Sequence, residues 1–241
     1  MIGLITGLTG SITSFSSWML SSFFDFANLR HFSRSGFESF LAGILDLVIV
    51  MIASFASFYY GKYLVKQFNP SSTTTTRFEI IFVQQLRRCE WIGTGLGLTL
   101  WILMAFLSAY VYPEPVWLAA VFGPLGTWTR FGLAQLNQRI SSFPIGTFIA
   151  NMLGVTLLAL MTVSSFSVTG TPCLFVLAVS NGYCGCLSTV STFIIELDAL
   201  PASNRWRYAL ATILSGLLIV FAIAGSYVWS KSLSVSNTSC S

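Results

Sequence analysis

Seven apolar segments dominate this sequence, and each is long enough to cross the hydrocarbon core of a bilayer. Crossing about 30 Å of hydrocarbon takes about 20 helical residues. The segments cover residues 1–23, 40–64, 91–112, 116–137, 145–166, 172–197 and 207–229. Charged residues make up 8% of the chain, against roughly a quarter in soluble domains, and a soluble fold could not cover its surface with so few charges. We therefore predict an all-α integral membrane protein with about seven transmembrane helices.

The polar connections predict how the chain is oriented. The one long polar connection, residues 66–90, is expected to be a cytoplasmic loop with an interfacial helix at 77–88. One side of the membrane has Lys62, Lys66, Arg77, Arg87, Arg88, Arg139, Arg205 and Arg207, whereas the other has Arg30, Arg34 and Lys231. Because basic residues favour the cytoplasmic side, we expect a cytoplasmic N-terminus and an extracellular tail at 231–241. The glycosylation sequon at 237–239 agrees with that orientation.

A segment near the N-terminus recurs 175 residues later in the chain. Residues 7–18 read GLTGSITSFSSW, and residues 182–193 read GYCGCLSTVSTF. The matched pairs are Gly7/Gly182, Gly10/Gly185, Thr13/Ser188, Ser14/Thr189, Ser16/Ser191, Ser17/Thr192 and Trp18/Phe193. Glycines before a run of hydroxyl side chains favour a break in the helix, which a membrane tolerates only where it faces protein or water. Carbonyls freed at such a break can coordinate a cation; a small-residue packing face is the alternative.

Two further spans carry polar residues within apolar sequence. Arg130 ends the motif GPLGTWTR (123–130) and should emerge near the cytoplasmic interface. It either attracts anions at a pore mouth or is a snorkelling side chain. Asn151 lies seven residues into the span that opens at 144, within GTFIAN (146–151). Its amide offers two N–H donors that suit a small anion, and a structural hydrogen bond between helices is the alternative.

In this order and spacing, the motifs resemble those of the CrcB/FEX fluoride channel family. Residues 116–229 resemble one four-span unit, with GPLGTWTR, then GTFIAN followed by Gly154, then GYCGCLSTVSTFIIE. Residues 1–65 resemble the last two spans of a preceding unit, and 91–112 resemble the linker helix of the fused eukaryotic form. The complete second repeat then occupies 113–230. On this resemblance we expect an N-terminally truncated chain that lacks the first two spans of its first unit.

Geometry also explains the presence of a linker helix. Four spans return the chain to its starting side, so one extra crossing inverts the second unit. The two repeats can then form an antiparallel pseudo-dimer within one chain, which is the expected monomeric form when full length.

The resemblance implies a passive fluoride-selective channel that exports cytoplasmic fluoride across the plasma membrane. A proton-coupled small-ion antiporter and an inactive fragment or membrane scaffold are the alternatives. The implied pore residues are Asn151, Phe193, Phe15, Thr192 and Ser191, with Arg130 in the vestibule. The helix-break and motif glycines are Gly7, Gly10, Gly182, Gly185, Gly146 and Gly154. A structural Na⁺ is implied at Gly10, Thr13, Gly185 and Ser188.

Two aromatic positions depart from the family pattern. The second repeat has Val190 where its first phenylalanine belongs, and the first repeat has Trp18 where its second belongs. If each pore pairs the first aromatic of one unit with the second of the other, Phe15 and Phe193 form one intact pair. We therefore predict a single working pore, with the other route degenerate.

The remaining reactive side chains do not suggest an enzyme, because there is one histidine and no nucleophile–base spacing. We expect the five cysteines to be small buried hydrophobes, with a disulfide or metal site as the alternative. Asp46 and Glu196 are interpreted as structural or interfacial. Tyr208, Thr212 and Ser215 share one helix face, as a polar track or as packing. The net charge of +4 is too thinly spread for a nucleic-acid partner.

Overall fold

The computed structural model describes residues 12–30, 33–68, 93–108, 110, 115–140, 142–232 and 240. Every regular element within these ranges is helical, which confirms the predicted all-α class. The interfacial helix expected at 77–88, Gly7, Gly10 and the sequon at 237–239 lie outside the described residues.

Ten α-helices can be numbered along the described part of the chain. They are α1 (Phe15–Phe26), α2 (Gly36–Phe68), α3 (Gly93–Ser108), α4 (Pro115–Ala134), α5 (Ile145–Ser165), α6 (Thr171–Ala178), α7 (Gly185–Leu187), α8 (Ser191–Ala199), α9 (Ala202–Val220) and α10 (Ser226–Lys231). A 3₁₀ segment (Gln135–Arg139) follows α4, and π segments (Val179–Cys184 and Phe221–Gly225) join α6 to α7 and α9 to α10.

Four stretches of the described chain are long and apolar enough to cross a membrane. They are Gly36–Leu64, Ile145–Ser165, Thr171–Ala199 and Ala202–Lys231, and the shorter apolar helix Gly93–Ser108 lies between the first two. The outer faces of α2 and α9 expose large aliphatic side chains, among them Ile49, Ile52 and Leu218. Such faces are unfavourable in water and suit a lipid environment.

The helix break predicted in the second repeat is present between α7 and α8. Ser188 has φ −89° and ψ 150°, an extended conformation, and α8 resumes at Ser191. In the first repeat Ser14 is also extended, with φ −112° and ψ 117°, and α1 begins at the next residue. The two repeats therefore share an interruption at positions that agree to within one residue, since Ser188 matches Thr13 and Ser14 matches Thr189.

Close backbone contact holds α4 against the interrupted span. A Cβ at Gly126 would overlap the carbonyl oxygen of Tyr183, and a Cβ at Gly182 would overlap that of Ala119. The missing side chains let the two backbones meet, as small residues do at membrane helix interfaces. Gly126 and Gly182 thus have a packing role.

One disulfide corrects the interpretation of the cysteines as buried hydrophobes. Cys173, at the start of α6, is joined to Cys240 in the C-terminal tail, with their Cα atoms 5.5 Å apart. A sequence separation of 67 residues gives no indication of pairing. Cys184 is free and buried, as expected, and Cys89 lies outside the described residues.

We predict that Gly126→Ala destabilises the fold, because the added methyl would force α4 away from the Tyr183 carbonyl. Overpacking of this kind costs about 1–3 kcal/mol. Gly132→Ala is the matched control on the same helix, since an added Cβ there meets nothing within 4 Å. The midpoint of thermal unfolding is measured for both variants, each purified in detergent. A Gly126→Ala midpoint equal to that of Gly132→Ala would contradict the packing interpretation.

Candidate functional site

The two helix breaks lie against each other and exchange hydrogen bonds reciprocally. The backbone N–H of Ser16 donates to Ser188 Oγ at 2.9 Å. The backbone N–H of Ser191 donates to Thr13 Oγ1 at 3.1 Å. Because Ser16 matches Ser191 and Thr13 matches Ser188 in the repeat, each break makes the same bond to the other. That reciprocity is the signature of a two-fold interface.

Each break is also capped internally in the same way. The N–H of Ser17 donates to Ser14 Oγ at 3.3 Å, and the N–H of Thr192 donates to Thr189 Oγ1 at 3.4 Å. These are the hydroxyl caps that satisfy the first free N–H groups of α1 and α8. Backbone capping therefore explains why Ser14 and Thr189, at matched positions, both carry a hydroxyl.

Helix α5 closes the break of its own repeat. Asn151 is fully buried; its Oδ1 accepts from the N–H of Thr189 at 2.8 Å and its Nδ2 donates to the Thr189 carbonyl at 3.3 Å. A Cβ at Gly154 would come within 2.8 Å of the Ser188 side chain. The amide and the glycine, one helical turn apart, both belong to the face that contacts the break. This geometry gives Asn151 a clear structural function next to the predicted pore.

An aromatic pair lies directly beyond the breaks. Phe15 on α1 and Phe193 on α8 are both fully buried, and their ring centroids are 5.8 Å apart at an interplanar angle of 69°. Phe15 also packs edge-on against Trp18, and Phe193 against Tyr208 on α9. The structure therefore brings together the two phenylalanines that the sequence pairs across the repeats. At the other two positions, Trp18 and Val190 are also buried.

A polar cluster continues from Phe193 towards the end of α8. The Glu196 carboxylate accepts hydrogen bonds from Thr147 Oγ1 at 2.5 Å, from Asn137 Nδ2 at 2.9 Å and from the Tyr208 hydroxyl at 2.7 Å. Glu196, which we expected to be structural or interfacial, and Tyr208, from the possible polar track, therefore belong to one hydrogen-bonded cluster. The sequence did not identify Asn137 as a site residue, because it lies in the 3₁₀ segment between two spans and belongs to none of the motifs.

The other polar residues of the sequence occupy distinct places. Arg130 is only 4% exposed, within α4. Asp46 accepts from Ser22 Oγ at 2.6 Å, so this acid contacts α1. Thr212 is buried, but its hydroxyl donates to the Tyr208 carbonyl of its own helix at 2.7 Å. Within the described part of the chain, Tyr208 is the residue of the possible track whose side chain donates a hydrogen bond to Glu196.

Sequence comparisons identify the family of the chain. A family model described as "CrcB-like protein, Camphor Resistance (CrcB)" matches residues 117–227. Fluoride export protein 1 of Candida albicans is 33% identical over 96% of this chain and 62% of its own length. Fluoride export protein 1 of Neurospora crassa is 32% identical over 95% of this chain and 48% of its own length. The fluoride-specific ion channel FluC of Escherichia fergusonii is 31% identical over 50% of this chain and 97% of its own length. The chain belongs to the CrcB/FEX family.

The apolar helices of this CrcB/FEX chain and its membership of the family both indicate a multi-pass membrane protein. It spans less than two thirds of the length of each of the two fungal relatives. The bacterial relative aligns along nearly its whole length with half of the chain. No solved structure gives a significant match.

We predict that Ser188→Ala lowers the stability of the chain, because it leaves the buried N–H of Ser16 without its acceptor across the repeat. An unsatisfied buried donor costs about 1–3 kcal/mol. Ser180→Ala is the matched control on the same span, since the Ser180 hydroxyl donates to Val176 of its own helix at 2.8 Å. Thermal unfolding in detergent separates the two variants. Equal midpoints would show that the reciprocal bond adds nothing to stability.

Proposed function

We propose that this protein is a passive fluoride-selective channel that lets cytoplasmic fluoride leave the cell. The observation that carries the proposal is the buried contact between Phe15 and Phe193. The two residues come from opposite repeats and lie immediately after the two helix breaks. The relatives are named as a fluoride export protein and a fluoride-specific ion channel. The names of the relatives give the substrate, and the ring pair gives the place proposed for it.

The side chains around the pair suit a small, strongly hydrated anion. The edge of a phenyl ring is the positive end of its quadrupole, so it attracts an anion without binding it tightly. Hydroxyls of Ser191 and Thr192 at the start of α8 and the amide of Asn151 offer further donors beside the break. Conduction requires binding that is weak enough to release the ion, and neutral donors with ring edges meet that requirement.

We infer that one of the two routes conducts. Phe15 and Phe193 form an aromatic pair, whereas Val190 supplies an aliphatic side chain where the other route needs a ring. An aliphatic group has no positive edge to present to an anion. The Val190 and Trp18 route would therefore lack half of its aromatic lining.

We propose that a structural sodium ion binds where the two helix breaks meet. The groups there are hydroxyl and carbonyl oxygens, the hard ligands that suit such a cation, and unwound backbone at helix breaks binds sodium in transporters. Gly185 is buried, and a Cβ there would meet nothing within 4 Å, which leaves space near Ser188 for an ion. Gly185 and Ser188 would hold the ion from one repeat, and Thr13 with Gly10 from the other. A bound ion there would hold the two breaks together electrostatically.

The working unit is proposed to be a pseudo-dimer of antiparallel repeats within one chain. The reciprocal bonds between the breaks support it. Helix α5 packs between α1 and α9. In the repeat, α8 matches α1 and α2 matches α9. A groove of about 760 Å³ lies between α8 and α2, lined by Ser191, Ile194 and Phe58 among others. This groove is the pseudo-symmetric counterpart of the place that α5 occupies.

The plasma membrane is proposed as the location, with the N-terminus in the cytoplasm and the C-terminus outside. In this orientation Cys173 and Cys240 both lie on the extracellular side. Their disulfide supports the assignment, because disulfides persist in oxidising compartments and are rare in the cytosol. The Glu196 cluster then lies at the cytoplasmic end of the second repeat.

Glu196 also favours a second candidate, proton-coupled fluoride antiport. Intramembrane carboxylates mark proton relays in transporters, and this one accepts three hydrogen bonds. An imposed pH gradient distinguishes the candidates. An antiporter would accumulate fluoride against its own gradient at zero membrane potential, whereas a channel would only equilibrate it.

We predict selective fluoride efflux from liposomes that contain the purified chain, measured with a fluoride electrode. Chloride efflux from the same liposomes, measured with a chloride electrode, is the control and should remain at the level of protein-free vesicles. Efflux of both anions at similar rates would contradict the proposed selectivity. An absence of fluoride efflux from well-folded protein would contradict the channel activity of this chain.

We further predict unequal effects of two aromatic substitutions. Phe193→Ile should lower fluoride efflux by about tenfold or more, because it removes a ring edge from the intact pair. Trp18→Ile should leave efflux within about twofold of the parent, because its route already lacks the partner ring. The two variants remove buried aromatic groups of the same core, so each serves as the other's control. Equal losses would rule out the single-route hypothesis.

A further inference from the structure

Asn137 caps helix α5 from a distance. The residue before α5, Pro144, provides no side-chain cap. Instead, Asn137 Oδ1 accepts from the N–H of Gly146 at 2.7 Å and from the N–H of Thr147 at 3.1 Å. These N–H groups have no partner within the helix, so one amide oxygen from the preceding 3₁₀ segment satisfies two of them.

The other end of the same amide reaches the polar cluster. Asn137 Nδ2 donates to Thr147 Oγ1 at 3.0 Å and to Glu196 Oε1 at 2.9 Å. A Cβ at Gly146 would come within 2.8 Å of Asn137 Oδ1, so the glycine leaves room for this approach. A single side chain therefore ties the start of α5 to the end of α8.

The hydrogen bond from Asn137 to Glu196 also affects the position of the Phe193 ring. Glu196 follows Phe193 by three residues on α8, so the two side chains lie on the same side of that helix. Tyr208 contacts both, with its hydroxyl on Glu196 Oε2 at 2.7 Å and its ring 5.3 Å from that of Phe193. Fixing the carboxylate restricts rotation of α8 about its axis, and with it the position of the Phe193 ring.

We propose that Asn137 is a positioning residue that sets the Phe193 ring through Glu196. It acts as a donor to the carboxylate as well as a cap for α5. The inference rests on the proposed channel function only for its transport readout, since the position of the ring can be measured without transport.

Asn137→Asp separates the two roles of the amide. The aspartate keeps an oxygen acceptor for the N–H groups of Gly146 and Thr147, so the cap is retained. It loses the donor to Glu196 and brings a second carboxylate beside the first, which repels it. Adding Glu196→Gln returns a donor to the pair with the direction of the hydrogen bond reversed. The parent, both single variants and the double variant form a complete cycle.

The first readout is the ¹⁹F NMR signal of 4-fluorophenylalanine in place of Phe193, recorded on all four proteins in detergent. The signal should shift or broaden in Asn137→Asp and return towards its parent position in the double variant. An unmoved signal in Asn137→Asp, or a double variant displaced as far as Asn137→Asp, would overturn the proposal. Neither result depends on whether the chain transports fluoride.

Fluoride efflux from liposomes is the second readout, with natural Phe193. Asn137→Asp should slow efflux by about tenfold in the parent background, and should not slow it further in the Glu196→Gln background. An equal slowing in both backgrounds would show that Asn137 acts independently of Glu196. A parent protein without efflux would refute the proposed function and leave the NMR cycle to decide the positioning role. Asn137→Ala controls for the cap, because it should lower the thermal midpoint more than Asn137→Asp does.

Discussion

The hydrogen bonds between the two helix breaks are the constraint on which the rest of the structure depends. An interrupted helix exposes backbone N–H groups, and each one left unsatisfied in an apolar interior costs several kcal/mol. Here the N–H of Ser16 and that of Ser191 are satisfied by hydroxyls of the opposite repeat. Neither break is complete alone, so the two repeats must meet at this point and in this register.

The register of the breaks places the aromatic pair. Helices α1 and α8 begin immediately after the breaks, so Phe15 and Phe193 lie within the first turn of each. Two helices fixed at their starts by crossed hydrogen bonds must bring these first turns together. The contact of the two rings, at 5.8 Å between centroids, is therefore a consequence of backbone satisfaction and requires no separate explanation.

The sequence predicted the features that follow from local pattern. Apolar length gave the helices, and the repeated glycines and hydroxyls gave the break at Ser188. Apart from the pairing of Phe15 with Phe193, which the family resemblance implied, the sequence did not predict contacts between side chains that are distant in the chain. Nothing near Asn137 marks it as a cap for α5, and the pairing of Cys173 with Cys240 has no sequence signature. These features depend on which loops meet at the same end of the bundle, and periodicity carries no information about that.

The asymmetry of the two repeats extends beyond the aromatic positions. The repeat offset of 175 residues places Ser21 opposite Glu196, so the first repeat has no carboxylate at the matched site. Its acids lie elsewhere: Asp46 on α2 accepts a hydrogen bond from Ser22 at 2.6 Å, and Asp25 on α1 forms ion pairs with Arg30 and Arg34. If Trp18 and Val190 line a second route, that route has an aliphatic side chain from one repeat and no carboxylate after the ring of the other. The structural bonds between the breaks are retained in both repeats, because the fold needs them whether one route conducts or two.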